Sequence, residues 1–261
     1  MEGRITRGTT GTNRLRRVDR WIVAQPALRR AEHPLVVDLG YGARATPSVE
    51  LFERVRAVRP DAEVVGIEID PERVRIARAA SRPGLAFRLG GFEVPLPGNR
   101  RPAVIRALNV LRQYDEAEVP DAWTRMRERL QPDGLLVEGT CSETGRVASW
   151  IGLSPSGPET FTLSLRLAGL EEPSIVAERL PKALIHRNVP GEPIHALLRE
   201  LDAAWARHAP LGVYGPTQRF IATAETLRGG GWPVRHGRAR WRLGELTLDW
   251  SSVAPRGGVG G

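Results

Sequence analysis

An α/β fold is predicted by the 261-residue sequence: a mostly parallel sheet with antiparallel edge strands and a C-terminal helical insertion. Three observations lead there. Short apolar runs alternate with helical stripes through the first half of the chain, the pattern of crossover units on a parallel sheet. Beyond residue 145 the register changes, and apolar and polar side chains alternate over 161–167, which marks an antiparallel hairpin with one wetter face. Residues 174–228 then carry helical periodicity without an intervening strand pattern.

The elements follow in order. Residues 1–20 are polar and read as an extended arm, with a short helix over 21–30. The run 35–39, Leu-Val-Val-Asp-Leu, is a strand buried on both faces and ends in Gly40-Tyr41-Gly42. Thr46-Pro47 starts a helix, proline being favoured at the first helical position, and Leu51, Phe52, Val55 and Val58 supply its stripe. A second strand covers 63–69, and Asp70-Pro71 caps a helix to residue 80. Strands at 85–89 and 103–109, a helix at 122–130 and a strand at 135–138 continue the alternation. A hairpin joins 147–153 to 160–167, with Phe161, Leu163, Leu165 and Leu167 on one face. The helical segment breaks at 188–191 and 210–216. A last strand covers 241–250, and 255–261 is a loose tail.

Composition narrows the class. Hydrophobic residues make up 41% and charged residues 26%, so a core can be buried. One cysteine, Cys141, excludes a disulfide framework, and the histidines lack ligand spacing, so no metal is expected. No run approaches a membrane span, and the N-terminus lacks the apolar stretch of a secretory signal. The expectation is a cytoplasmic protein. Net charge is +8, and Lys182 is the single lysine. The first 30 residues hold eight arginines against Glu2 and Asp19. Such an arm is either a footprint for a polyanion such as RNA or the solvated product of an arginine-biased coding sequence.

The chemistry centres on the turn after the first strand. Gly40 and Gly42 permit positive φ and close backbone approach, at the strand end where open α/β sheets bind ligands. Glu68 ends the second strand, where a carboxylate accepts ribose hydroxyls. The two signals together predict a nucleoside-bearing cofactor. Gly40-Tyr41-Gly42-Ala43-Arg44-Ala45 also fits a dinucleotide pattern with alanine in third place. Asp38, two residues before the first glycine, disfavours a pyrophosphate and suits a cationic amino group. S-adenosylmethionine (SAM) carries such a group and no phosphate.

Here the sequence resembles the class I SAM-dependent methyltransferases. Val36-Val37-Asp38-Leu39-Gly40-Tyr41-Gly42 is similar to their first motif and Val65-Gly66-Ile67-Glu68-Ile69-Asp70 to their second. The segment 130–138 is similar to their helix-to-strand passage after the fourth strand. The resemblance implies a Rossmann-like fold, with a SAM-binding domain over 31–170. The resemblance covers about residues 30–145; residues 171–254, with the final strand, read as a helical lid and acceptor-selecting region. Asp38 would face the methionine amino group, Gly40, Tyr41 and Gly42 would lie under the methionine part, and Glu68 would hold the ribose beside Ile69. The family's third glycine is replaced by Arg44. Its acid after the third strand is replaced by Gly91, with Glu93 two residues on.

Methyl transfer from a sulfonium needs alignment and exclusion of water more than it needs a base. Asn109 ends the fourth strand, where the family contacts acceptor or methionine, and it enters both the cofactor and the catalytic sets. Tyr114 follows on the same rim, with Arg112, Gln113, Glu138 and Glu143. His186, beside Lys182 in the helical insertion, is the candidate base. The acceptor is unidentified, a small molecule being favoured over RNA. Two other functions stay open: an NAD(P)-dependent oxidoreductase, and a non-catalytic polyanion-binding protein with the same fold.

Overall fold

The computed structural model describes residues 2–5 and 11–259. One nine-stranded sheet organises the chain, in the order β3-β2-β1-β4-β5-β6-β7-β9-β8. Its parallel part is β1 (Leu35–Leu39), β2 (Glu63–Glu68), β3 (Leu85–Leu89), β4 (Val104–Leu108) and β5 (Leu135–Cys141). β6 (Val147–Ser154), β7 (Gly157–Leu165), β8 (Val234–Arg235) and β9 (Glu245–Asp249) form the antiparallel edge. The fold is therefore Rossmann-like, with the reversed edge expected from the alternation. Strand order turns back between β1 and β4, and the crevice beyond their carboxyl ends is where such sheets bind ligands.

The helices cover both faces. α1 (Arg16–Ile22), α2 (Pro26–Arg29), α3 (Thr46–Arg56) and α4 (Pro71–Ala77) are joined by α5 (Val119–Arg127) and α6 (Lys182–Ile185). α7 (Pro193–Arg207), α8 (Pro216–Gly229) and α9 (Arg238–Trp241) complete the set. On one face Val36, Val64 and Val104 pack under Trp21, Ile22, Leu51 and Val55. On the other, Val37, Ile105, Phe161 and Leu163 pack under Trp123, Leu201 and Phe220. Asp70 caps α4 as expected, its Oδ1 accepting from the N–H groups of Glu72 (2.9 Å) and Arg73 (3.3 Å). Among the described residues no helix is long and apolar enough to cross a membrane.

Several expectations are corrected. The arm does not run extended to residue 20: α1 begins at Arg16, because Leu15, Val18, Trp21 and Ile22 form a buried helical stripe. The wetter face of β7 is dry. Thr162 and Ser164 are buried there, Thr162 Oγ1 lying 2.9 Å from Thr247 Oγ1 and Ser164 Oγ accepting from Arg17 Nη1 at 3.2 Å. The last strand is shorter than 241–250, because Arg238–Trp241 turns as a helix before it. Its partner β8 carried no sequence signal. Both strands extend the sheet that the first half began. In the tail, Pro255 is buried and Arg256 N–H donates to Glu192 Oε2 at 3.0 Å.

Candidate functional site

The site grows from the turn after β1. Gly40 (φ 68°) and Gly42 (φ 88°) occupy the left-handed region that side chains resist, so the tight bend needs both glycines. The bend brings the Gly42 N–H to Glu68. Glu68 Oε2 accepts from Gly42 N at 2.9 Å and Oε1 from Ile69 N at 2.9 Å. The carboxylate, 1% exposed, is thus fixed by two backbone donors at the strand-order reversal, with Arg73 Nη1 3.8 Å away. Each oxygen keeps acceptor capacity for a further donor.

Asp38 is placed differently from expectation. It is 2% exposed and meets Arg106 through two contacts, Nε at 3.0 Å and Nη2 at 2.7 Å. Ser48 Oγ donates to it at 2.7 Å. Arg106 also pairs with Asp19 of α1 and donates to the Pro47 carbonyl at 3.1 Å. Asp19 in turn meets Arg54 at 2.8 Å. Burial works to lower the Arg106 pKa, and Asp19 and Asp38 more than offset it, so the guanidinium stays charged. Sequence reasoning missed this centre. Its one signal was an arginine inside the apolar run Val104-Ile105-Arg106-Ala107-Leu108, and β1 and β4 set Asp38 opposite Arg106.

Tyr41 is buried with its ring edge-on to Phe87, 5.4 Å between centroids. Burial raises its pKa, reinforced by Glu68 and Asp38. Asn109 stands at positive φ (63°), which asparagine tolerates. Its side chain braces two strand ends: Oδ1 accepts from Cys141 N at 2.9 Å, and Nδ2 lies 3.3 Å from Cys141 Sγ.

Glu68, Ile69, Gly40, Gly91 and Tyr114 come together around one crevice, with Val110 on its far wall. The chain's own N-terminus fills it. Phe92 N–H donates to the Glu2 carbonyl at 2.9 Å, Glu2 N–H to Glu93 Oε2 at 3.0 Å, and Arg4 N–H to the Tyr114 hydroxyl. A Cβ on Gly91 would stand 2.0 Å from the Glu2 carbonyl oxygen, so only glycine admits the arm. Arg4 covers the Tyr114 ring at 4.8 Å and pairs with Glu118 at 2.9 Å. The space left is about 20 Å³.

His186 is not part of this group. It is exposed at the end of α6, its Nε2 3.2 Å from Lys182 Nζ. Glu138 leaves the rim altogether and lies buried in the apolar layer under α5. A larger cavity of about 750 Å³ opens where β6 begins. Arg146, Val147, Arg166, Leu170, Ile175 and Glu178 are among its walls. Among the described residues no three His, Cys, Asp or Glu side chains cluster as metal ligands.

No family model and no curated protein matches the chain. Solved structures do resemble it. One is the CcbJ methyltransferase of Streptomyces caelestis, at 19% identity and a TM-score of 0.37, over 59% of this chain and 71% of that one. Another is the magnesium protoporphyrin IX methyltransferase of Synechocystis PCC 6803 with bound SAH, at 19% identity and a TM-score of 0.38, over 49% of this chain and 54% of that one. A third is human N-acetylserotonin methyltransferase in complex with SAM, at 20% identity and a TM-score of 0.36, over 51% of this chain and 36% of that one. At these identities the likeness concerns fold alone.

Proposed function

We propose that the chain is a SAM-dependent methyltransferase acting in line on a small-molecule acceptor. One observation carries this reading: the Glu68 carboxylate sits on the Gly42 N–H at 2.9 Å. In a dinucleotide site the second glycine brings the backbone up to the pyrophosphate. A fixed carboxylate there repels a phosphate and attracts a cation and ribose hydroxyls. That disfavours NAD(P) and supports a phosphate-free nucleoside with a sulfonium or ammonium group.

When bound, SAM supplies an electrophilic methyl group: the acceptor lone pair forms the new bond while the methyl–sulfur bond breaks and its electron pair stays on sulfur. The chain's own residues bind and align. Glu68 accepts the ribose hydroxyls, Gly40 and Gly42 admit the methionine part, and Ile69, Gly91 and Glu93 flank the base. Asp38 has its charge committed to Arg106, so affinity rests chiefly on Glu68. Asn109 acts by holding the ends of β4 and β5 together. Tyr114 closes the crevice wall. His186, exposed beside Lys182, stays outside this assignment.

A small acceptor is favoured over RNA because several arginines of the basic segment are already bonded within the molecule. Arg16 donates to the Asn13 and Thr144 carbonyls, Arg17 to Ser164 and the Leu243 carbonyl, and Arg29 to the Val23 carbonyl.

Two measurements test the reading. Calorimetry should detect adenosylhomocysteine binding, and Glu68→Ala should weaken it by about 1.5–3 kcal/mol, the worth of hydrogen bonds to a charged group. Binding of NAD alone, or an unchanged dissociation constant in the folded variant, would sink the proposal. Second, the arm has to leave before a nucleoside enters. The remaining 20 Å³ holds about one water, whereas ligand sites occupy roughly 300–1,000 Å³. Deleting residues 2–10 should therefore lower the apparent Kd for adenosylhomocysteine by about tenfold, as loss of a competing closed state does. Weaker binding after the deletion would make the arm a wall of the site instead of its plug.

A further inference from the structure

Three guanidinium groups converge at the carboxyl ends of β4 and β5. Arg14 donates through Nε to the Ser142 carbonyl at 3.0 Å and through Nη2 to the Cys141 carbonyl at 3.2 Å. Arg112, in the turn after β4, donates through Nη1 to the Glu178 carbonyl at 3.3 Å. Arg179 is pinned to the same place by its backbone: its carbonyl accepts from Thr140 Oγ1 at 2.5 Å and from Ser149 Oγ at 2.6 Å. Its Nε is buried without a hydrogen-bond partner.

Some of the chain's arginines are paired with carboxylates and others only with carbonyls. Arg54, Arg100, Arg106, Arg187 and Arg240 each lie within 4 Å of a carboxylate. Among the described residues, no carboxylate comes that close to Arg14, Arg112 or Arg179. Burial, then Arg179 and Arg14, hold the Arg112 guanidinium below its ordinary value. The Glu178 carboxylate offsets this repulsion only in part, and an oxyanion that bridges the three guanidinium groups removes the rest while forming charge-assisted hydrogen bonds.

The position connects the two spaces of the rim. Val110, two residues before Arg112, lines the nucleoside crevice. Glu178, whose carbonyl receives Arg112, lines the 750 Å³ cavity, a volume that suits a small molecule. We propose that Arg14, Arg112 and Arg179 form an oxyanion-binding site, and that the methyl acceptor is a small molecule carrying a carboxylate or phosphate held there. The second half rests on the methyl-transfer reading; the anion site does not. An oxyanion gripped by guanidinium groups is a poor nucleophile, so the methyl group goes to another atom of the acceptor.

The test uses the full chain saturated with adenosylhomocysteine, with inorganic phosphate and benzoate titrated separately by calorimetry. Arg112→Gln and Arg179→Gln should each raise the Kd of the bound probe by about tenfold. Arg112→Lys should lose less, and Arg199→Gln on the exposed side of α7 should change nothing. The tighter probe identifies the phosphate or the carboxylate as the source. Equal binding by all variants, or none by the wild type, overturns the site. A single-stranded RNA that binds far more tightly than either probe and is lost in the same variants overturns the small-molecule half. Arginine-dependent anion binding without any adenosylhomocysteine heat refutes the methyltransferase reading alone. Adenosylhomocysteine heat without arginine-dependent anion binding refutes this inference alone.

Discussion

Arg106→Met is expected to destabilise the fold by about 3–5 kcal/mol, the cost of stranding buried charges that have lost their partner. Arg106 is fully buried, holds Asp38 through two contacts, pairs with Asp19 and donates to the Pro47 carbonyl. Methionine fills a similar volume but answers neither carboxylate. Asp19 keeps Arg54, while Asp38 keeps only the Ser48 hydroxyl. Urea unfolding should show a lower midpoint with an unchanged slope, the mark of lost stability without a change in the surface exposed. Adding Asp38→Asn to the variant should recover part of the loss, because a neutral amide relieves the uncompensated charge. A loss below about 1 kcal/mol would mean that the network is hydrated and that Asp38 is available to a ligand.

The same centre explains what the sequence could and could not convey. β1, β2, β4 and β5 were legible because strands buried on both faces leave largely apolar runs, and the start of α4 because Asp70-Pro71 is a local signal. The crevice residues Gly40, Glu68 and Ile69 were legible for a similar reason: the turn and the strand end that form the crevice are short, contiguous motifs. Arg106 and Asp19 were not, since their pairing spans 87 positions and depends on α1 lying across β1 and β4. The N-terminal plug was hidden in the same way. Gly91 was read as a missing acid, whereas its lack of a side chain is what lets the Glu2 carbonyl approach. The stripe Leu15, Val18, Trp21 and Ile22 was available but was masked by the arginines between its members.

Glu138 supplies the second large effect, and it depends on pH. The side chain lies in the apolar layer under α5, in register with Ala107 and Ile151, and neither oxygen has a hydrogen-bond partner. Burial pushes its pKa up to about 8, opposed only by the Trp123 indole. In the unfolded chain it titrates near 4.5. Below that pH both states are protonated and the group costs nothing by ionisation. As pH rises from there towards 8 the unfolded chain ionises and the native one does not. The native state then binds more protons, and its stability falls. At about 1.4 kcal/mol per pH unit the loss approaches about 4–5 kcal/mol by pH 8, and it flattens above that. Glu138→Gln keeps the shape of the protonated acid and cannot ionise. It should match the wild type near pH 4 and exceed it by about 3–5 kcal/mol at pH 8. Urea midpoints for both proteins across this range measure the divergence. Parallel curves would mean that the native carboxylate finds water or a cation, and that this face of the sheet opens to solvent.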